Sequence, residues 1–117
     1  MKRIIVVEDS PIIQAAAKYA LEQAGFQVSV RASFPELLDG SLEADLILMD
    51  VQMPELYGDD VAMVLRNERS VTVPIYLFSS LAPGELDARA KQAGIDGYIS
   101  KEGGMEGLVA RVKQILS

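Results

Sequence analysis

The chain has 117 residues, half of them hydrophobic, with a net charge of −6, and this balance predicts one globular domain over residues 1–117. The absence of cysteine and histidine excludes disulfides, thiolate metal sites and imidazole catalysis. The negative charge disfavours direct binding to nucleic acid or an anionic membrane, and the apolar run at residues 4–7 is too short for a signal peptide or membrane span, so we expect a cytoplasmic protein.

Short apolar segments alternate along the chain with longer segments of helical periodicity. The apolar segments are rich in Val, Ile and Leu and are continuously hydrophobic, which is typical of strands buried on both faces. In chain order, the predicted elements are strand 3–7, helix 11–24, strand 27–30, helix 34–38, strand 46–49, helix 59–69, strand 75–78, helix 84–93, strand 98–99 and helix 105–116.

Residues with known capping preferences stand at the predicted helix boundaries. Ser10, which a proline follows, is predicted to cap the first helix, because proline suits the first helical position. Ser33 and Glu36 form a capping-box pattern before the second helix. Gly25 and Gly94 follow two helix ends, where we expect left-handed caps.

Strict alternation of strands and helices predicts a parallel sheet covered by helices on both faces, because parallel strands need crossover connections. For five strands the flavodoxin-like (βα)5 architecture, a three-layer sandwich with strand order 2-1-3-4-5, is favoured. In that order the first and third strands are neighbours and the chain winds away from them in opposite directions. The crevice at their carboxyl ends is the expected binding site.

Reactive side chains follow the predicted strands at this edge. Glu8 and Asp9 follow the first strand, Asp50 the third, Ser79 the fourth and Lys101 the fifth. Carboxylates brought this close repel one another, and a hard divalent cation relieves the repulsion. Mg²⁺ suits such a site because it is bound by one or two carboxylates together with water and phosphate oxygens.

The sequence therefore predicts a Mg²⁺ site and phosphoryl-transfer chemistry. We expect Asp9 and Asp50 to bind the ion directly, Glu8 to act mainly through water, and the carbonyl of Gln52 to supply a backbone oxygen. Asp50 is also the best-placed nucleophile. The ion, the Lys101 ammonium and the Ser79 hydroxyl would each neutralise one phosphoryl oxygen.

Four segments resemble successive signature segments of response-regulator receiver domains, namely IIVVEDSPI, DLILMDVQMPELYGDDVAMVLR, VPIYLFSS and AKQAGIDGYISK. The resemblance covers essentially the whole chain and is to single-domain receivers of the chemotaxis-regulator kind. It implies that Glu8 and Asp9 form the acidic pair that binds Mg²⁺. It also implies that Asp50 is the phosphoacceptor and Lys101 the essential lysine.

The same resemblance assigns four further residues. Ser79 matches the switch hydroxyl and Tyr98 the switch aromatic. Pro54 and Gly58 match the proline and glycine of the loop after the phosphoacceptor strand, where glycine permits backbone conformations closed to other residues.

One position departs from the family pattern. Most receivers have a proline in cis linkage after the essential lysine, but here Glu102 follows Lys101. A cis bond before a non-proline residue costs about 2.5–4 kcal/mol, so a trans bond is an alternative that would shift the loop carrying the lysine. Gly103 and Gly104 then give the entry to the last helix additional freedom.

The function that the resemblance implies is signalling and not metabolic catalysis. A histidine kinase or a histidine phosphotransfer protein would donate a phosphoryl group to Asp50 in a Mg²⁺-dependent step that the domain itself assists. Movement of Ser79 and Tyr98 would then change the face formed by the fourth helix, fifth strand and fifth helix, which a downstream effector protein recognises. We expect a monomer or a weak dimer.

Three alternatives belong to other functional classes. The Lys101–Glu102 departure favours an unphosphorylated pseudo-receiver that serves as a protein-docking module, whereas the intact carboxylates oppose it. A phosphatase of the haloacid dehalogenase type also forms an aspartyl phosphate, but it uses an Asp-x-Asp pair after its first strand, whereas Gln52 follows Asp50 at that spacing. A flavin or dinucleotide module is disfavoured because no G-x-G-x-x-G loop opens a helix.

Overall fold

The computed structural model describes residues 1–53 and 56–117, and strands and helices alternate there as predicted. The sheet order is 2-1-3-4-5 with every neighbouring pair parallel, which confirms the predicted flavodoxin-like architecture. The strands are β1 (Arg3–Val7), β2 (Gln27–Arg31), β3 (Leu46–Met49), β4 (Ile75–Ser79) and β5 (Gly97–Ser100). The helices are α1 (Pro11–Gln23), α2 (Phe34–Asp39), α3 (Gly58–Glu68), α4 (Pro83–Ala93) and α5 (Gly104–Ile115), and a 3₁₀ turn (Lys101–Gly103) precedes α5.

The predicted helix caps are confirmed with one exception. The Ser10 and Ser33 hydroxyls accept hydrogen bonds from backbone N–H groups of the first turns of α1 and α2. Gly25 and Gly94 have φ values of 97° and 72°, as expected after helix ends. The capping box is only half formed, because the Glu36 carboxylate accepts from the N–H of Ala32 at 2.7 Å and not from that of Ser33.

The predicted fifth strand was too short. β5 begins at Gly97, a residue type that is unfavourable in strands. The neighbouring strand explains the glycine, since a Cβ on Gly97 would lie 3.0 Å from the ring of Tyr76. Strand pairing with β4 therefore extends over a residue that propensity alone assigns to a loop.

The core lies in two layers, one on each face of the sheet. Successive strand residues point to opposite faces, so the alternating residues of each strand divide between the layers. We call the face covered by α1 and α5 the α1 side; its buried residues include Ile4, Val6, Leu46, Leu48, Phe78, Ile99 and Leu108. We call the face covered by α2, α3 and α4 the α3 side; its buried residues include Ile5, Val7, Ile47, Met49, Leu77 and Leu86.

None of the helices in the described residues combines the length and the apolar composition that crossing a bilayer requires.

Candidate functional site

The register between β1 and β3 brings two buried acids to the same edge of the sheet. Val6 pairs with Leu48, and both side chains lie on the α1 side. Side chains alternate between the two faces of a sheet, so Glu8 and Asp50, each two residues further along, are directed to the same side. The N–H of Asp50 donates to the carbonyl of Val7 at 3.0 Å, which extends the pairing beyond the strands. Glu8 is only 2% exposed and Asp50 only 6%.

Lys101 reaches both acids from the end of β5, the edge strand, on the same side of the sheet. It follows Ile99, an α1-side residue of β5, by two positions. Its Nζ lies 3.2 Å from Oε2 of Glu8 and 3.7 Å from Oδ1 of Asp50, and its side chain is 18% exposed. Residues separated by more than ninety positions therefore form one charged cluster. The peptide bonds of the described residues are all trans, including Lys101–Glu102, and the lysine reaches the acids nonetheless.

Three carboxylates, which we call the acid cluster, converge at this point. Glu8, Asp9 and Asp50 each place a carboxylate oxygen within 4.8 Å of the others. Burial raises the pKa of the Glu8 carboxyl from its ordinary value of 4.5 to about 7, and a hydrogen bond and charge repulsion from Asp50 add to the rise, while Lys101 opposes it. A pKa of about 7 means that the Glu8 carboxyl is partly protonated near neutral pH.

This donor set fits a hard divalent cation. All three groups offer oxygen ligands, which Mg²⁺ prefers, and Asp9 remains open to solvent, which leaves room for water or phosphate oxygens on the ion. A cation would also offset the repulsion from Asp50, which adds to the effect of burial on the pKa of Glu8.

The predicted switch residues lie on the opposite side of the sheet from the acid cluster. Ser79 follows Leu77 by two positions and Tyr98 pairs with Leu77 in register, so both belong to the α3 side. Ser79 is fully buried, and its hydroxyl accepts a hydrogen bond from the N–H of Leu81 at 3.2 Å. Tyr98 is partly buried against the α3-side core. Both side chains thus lie on the face that α4 covers.

The loop after β3 turns back onto Asp50. The N–H of Gly58 donates to the carbonyl of Val51 at 2.8 Å, and a Cβ on Gly58 would lie 1.8 Å from the Asp50 carbonyl oxygen. Only glycine fits so close an approach. Gln52 forms an isolated bridge with Tyr57 in the same loop, and its carbonyl as a metal ligand remains a prediction. Pro54 lies outside the described residues.

A model of the response regulator receiver domain family matches residues 4–113. The chain belongs to this family. As a receiver domain it is a signalling domain, of the kind that two-component systems use to receive phosphoryl groups and to act on downstream partners.

Relatives of this receiver domain include both long and short proteins. The DNA-binding dual master transcriptional regulator RpaA of Synechocystis sp. is 30% identical over 99% of this chain and 49% of its own length. The chain thus spans about half the length of the first curated relatives that it matches. The polar-differentiation response regulator DivK of Brucella ovis is 29% identical, with 98% of this chain and 96% of DivK covered.

Solved receiver structures share the fold. The response regulator TrrA of Thermotoga maritima, solved in complex with Mg²⁺ and a beryllium fluoride, is 30% identical with a TM-score of 0.84, and the match covers 99% of this chain and 100% of TrrA. The acid cluster and Lys101 lie at the carboxyl edge of the sheet, where the sequence predicted them.

Two contacts of this receiver domain were missed by the sequence analysis. The Lys101 Nζ lies 5.3 Å from the ring centroid of Phe78; the available signal was an aromatic residue immediately before Ser79 at a strand end. Arg89 of α4 pairs with Asp59 at 3.2 Å and lies 5.2 Å from the ring centroid of Tyr57. Arg89 thereby joins α4 to the loop that follows Asp50.

Proposed function

We propose that residues 1–117 act as one receiver domain in which Asp50 accepts a phosphoryl group from the phosphohistidine of a histidine kinase or a histidine phosphotransfer protein. The proposal depends on one observation, which is that the Lys101 ammonium lies next to two buried carboxylates. Lys101 lies 3.7 Å from Asp50, and Glu8 and Asp9 lie beside the same carboxylate. The family match supports this function and a cytoplasmic location for it.

The acid cluster would hold Mg²⁺ through Asp9 and Asp50, with Glu8 acting mainly through water and the Gln52 carbonyl as a further ligand. When bound, the ion supplies positive charge next to the phosphoryl oxygens. The three converging carboxylates support this role, as does the Mg²⁺ in the structure of the related TrrA.

In the transfer step an Asp50 carboxylate oxygen attacks the phosphorus, so a P–O bond forms while the P–N bond to the donor imidazole breaks. Lys101 is already within reach of the new group and would stabilise one of its oxygens. Ser79 can donate its hydroxyl proton to another oxygen while it still accepts from the N–H of Leu81, because a hydroxyl is both a donor and an acceptor. The domain thereby assists its own phosphorylation.

The response would appear on the face formed by α4, β5 and α5. Ser79 and Tyr98 both lie on the side of the sheet that α4 covers, so a movement of Ser79 toward the phosphoryl group is transmitted to Tyr98 and α4. A downstream effector protein is the expected partner of this face, with nucleic acid disfavoured by the net charge of −6. The domain itself would act as a monomer or a weak dimer.

Exposed apolar side chains near the acid cluster support docking of a phosphodonor protein at this edge. Ile12, just beyond the acidic pair in α1, is 80% exposed, and Leu56 and Tyr57 in the loop after Asp50 are also exposed. Large apolar residues in such positions gain from burial against a partner. The donor would cover them while its phosphohistidine enters the acid cluster.

Intact-mass analysis after treatment with acetyl phosphate tests the proposal. With Mg²⁺ the wild type should gain the mass of one phosphoryl group, and without Mg²⁺ the gain should be strongly reduced. Asp50→Ala should show no gain, while Asp39→Ala, at the end of α2, is the matched control and should label like the wild type. Undiminished labelling of Asp50→Ala would refute the assignment.

A pseudo-receiver that docks without phosphorylation is the second candidate. The trans bond after Lys101 favours it, because the residue that usually fixes the lysine loop is replaced by Glu102. The 3.7 Å approach of Lys101 to Asp50 argues against it. Mg²⁺ titration separates the two, since a docking module needs no cation and would keep partner binding unchanged when Mg²⁺ is removed.

A further inference from the structure

We propose that Phe78 is a positioning residue for Lys101, whose ammonium it holds over the acid cluster through the face of its aromatic ring. The inference rests on the proposed function, because it concerns the lysine that stabilises the transferred phosphoryl group. The Nζ of Lys101 lies 5.3 Å from the Phe78 ring centroid. This distance is within the range of an attractive cation–π contact.

Strand register explains why these two residues meet. Phe78 pairs with Ile99 across β4 and β5, and both belong to the α1-side core. Lys101 comes two residues after Ile99, where the alternation of strand side chains returns to the same side. Phe78 is therefore the β4 residue over which the lysine stem passes on its way to Glu8.

The Phe78 ring is buried, whereas the Lys101 side chain is partly exposed where it leaves the end of β5. Phe78 is 2% exposed and packs in the same cluster as Ile99 and Leu108. Lys101 begins a 3₁₀ turn of three residues that leads into Gly104, whose φ of 64° is a conformation that favours glycine. The buried ring therefore offers a defined surface to a side chain that leaves the sheet at the end of β5.

The attraction between Lys101 and the acids depends on whether the site holds a cation. Its Nζ is closer to Glu8, at 3.2 and 3.4 Å, than to Asp50 at 3.7 Å. Both attractions weaken once a divalent cation neutralises the carboxylates. The ring of Phe78 carries no charge and does not bind the cation, so its attraction for the ammonium persists in the loaded site.

Shape and charge can be separated experimentally at position 78. Phe78→Leu keeps an apolar side chain but removes the ring, and replacement by 3,4,5-trifluorophenylalanine keeps the ring but removes electron density from its face. We expect the rate of Asp50 phosphorylation by acetyl phosphate, at saturating Mg²⁺, to fall about fivefold in Phe78→Leu. A smaller fall is expected with the fluorinated ring. The matched control is the same fluorinated residue at Phe26, which packs against the same core and should leave the rate unchanged.

A double-mutant cycle shows whether Phe78 acts through Lys101. In the Lys101→Met background, whose basal rate is lower, the Phe78→Leu substitution should have no further effect. A wild-type rate with the fluorinated ring, or an equal slowing by Phe78→Leu in both backgrounds, would overturn the inference. The fluorinated variant decides the matter even if Phe78→Leu fails to fold.

An NMR measurement separates failure of this inference from failure of the proposed function. The ε-methylene protons of Lys101 should show an upfield ring-current shift that disappears in Phe78→Leu. If wild-type protein accepts no phosphoryl group while this shift is present, the proposed function fails but the contact stands. If the protein is phosphorylated and the shift is absent, Phe78 does not position Lys101.

Discussion

The Glu8→Gln variant tests the electrostatics of the acid cluster in the absence of divalent ions. Folding raises the pKa of Glu8 from 4.5 to about 7, chiefly through burial. At about 1.36 kcal/mol per pKa unit, this shift means that ionising Glu8 lowers the free energy of unfolding by about 3 kcal/mol. The attraction of Lys101 lowers the pKa of Glu8 and so opposes the rise. The value of about 3 kcal/mol therefore already includes the ion pair between Glu8 and Lys101. Glutamine preserves the shape of the side chain and cannot ionise.

The pH window follows from the direction of the shift. The folded state binds the Glu8 proton more tightly than the unfolded state, so the associated stability is complete below pH 4.5 and is lost as the pH rises through about 7. Urea unfolding of the wild type should therefore show a loss of about 3 kcal/mol, relative to Glu8→Gln, between about pH 5 and about pH 8. Mg²⁺ should remove this loss in the wild type, because the positive charge of the ion next to Glu8 stabilises the ionised carboxylate, even where a water molecule lies between them.

The control is Glu43→Gln, since the Glu43 side chain is 84% exposed and its removal should leave the pH dependence of the wild type unchanged. Parallel stability curves for wild type and Glu8→Gln over the whole window would refute the reasoning. So would a Mg²⁺ response of Glu8→Gln as large as that of the wild type.

Two further predictions concern backbone geometry. Gly58→Ala would place a Cβ 1.8 Å from the Asp50 carbonyl oxygen, so urea unfolding should show a loss of about 1–3 kcal/mol and labelling of Asp50 should slow. The control is Gly84→Ala in α4, where the described residues leave open space for a Cβ. Its free energy of unfolding should rise by about 0.5–1 kcal/mol. Equal losses of stability in both variants would contradict the steric argument. Ser70 has a φ of 54°, so Ser70→Gly should stabilise the protein by about 0.5–1 kcal/mol in the same assay, and a decrease would show that contacts of the serine side chain outweigh the backbone strain.

The topology and the location of the site could be predicted because both follow from local pattern. Continuous apolar strands alternating with amphipathic helices allow few arrangements, and the carboxyl ends of the strands must then share one edge. This is why Glu8, Asp50 and Lys101 meet although they are far apart in sequence.

What the sequence did not predict depends on pairing between strands. The extent of β5 required knowledge that Gly97 lies beside the Tyr76 ring, and the contact of Phe78 with Lys101 required the register of β4 against β5. Periodicity describes one segment at a time, whereas a register shift of one residue would move every side chain to the other face. The Glu36 bond to Ala32 was missed for a related reason, because a capping pattern does not specify which N–H the carboxylate reaches.

The end of β4 connects the two sides of the sheet. Phe78 and Ser79 are consecutive, so their side chains point in opposite directions: Phe78 lies against Lys101 on the α1 side, and Ser79 lies on the α3 side with Tyr98. Under the proposed function, a phosphoryl group on Asp50 attracts the Lys101 ammonium on one side and the Ser79 hydroxyl on the other. Under the same proposal, a shift of this strand end would change both contacts together, and would thereby link the stabilisation of the phosphoryl group to the side of the sheet that α4 covers.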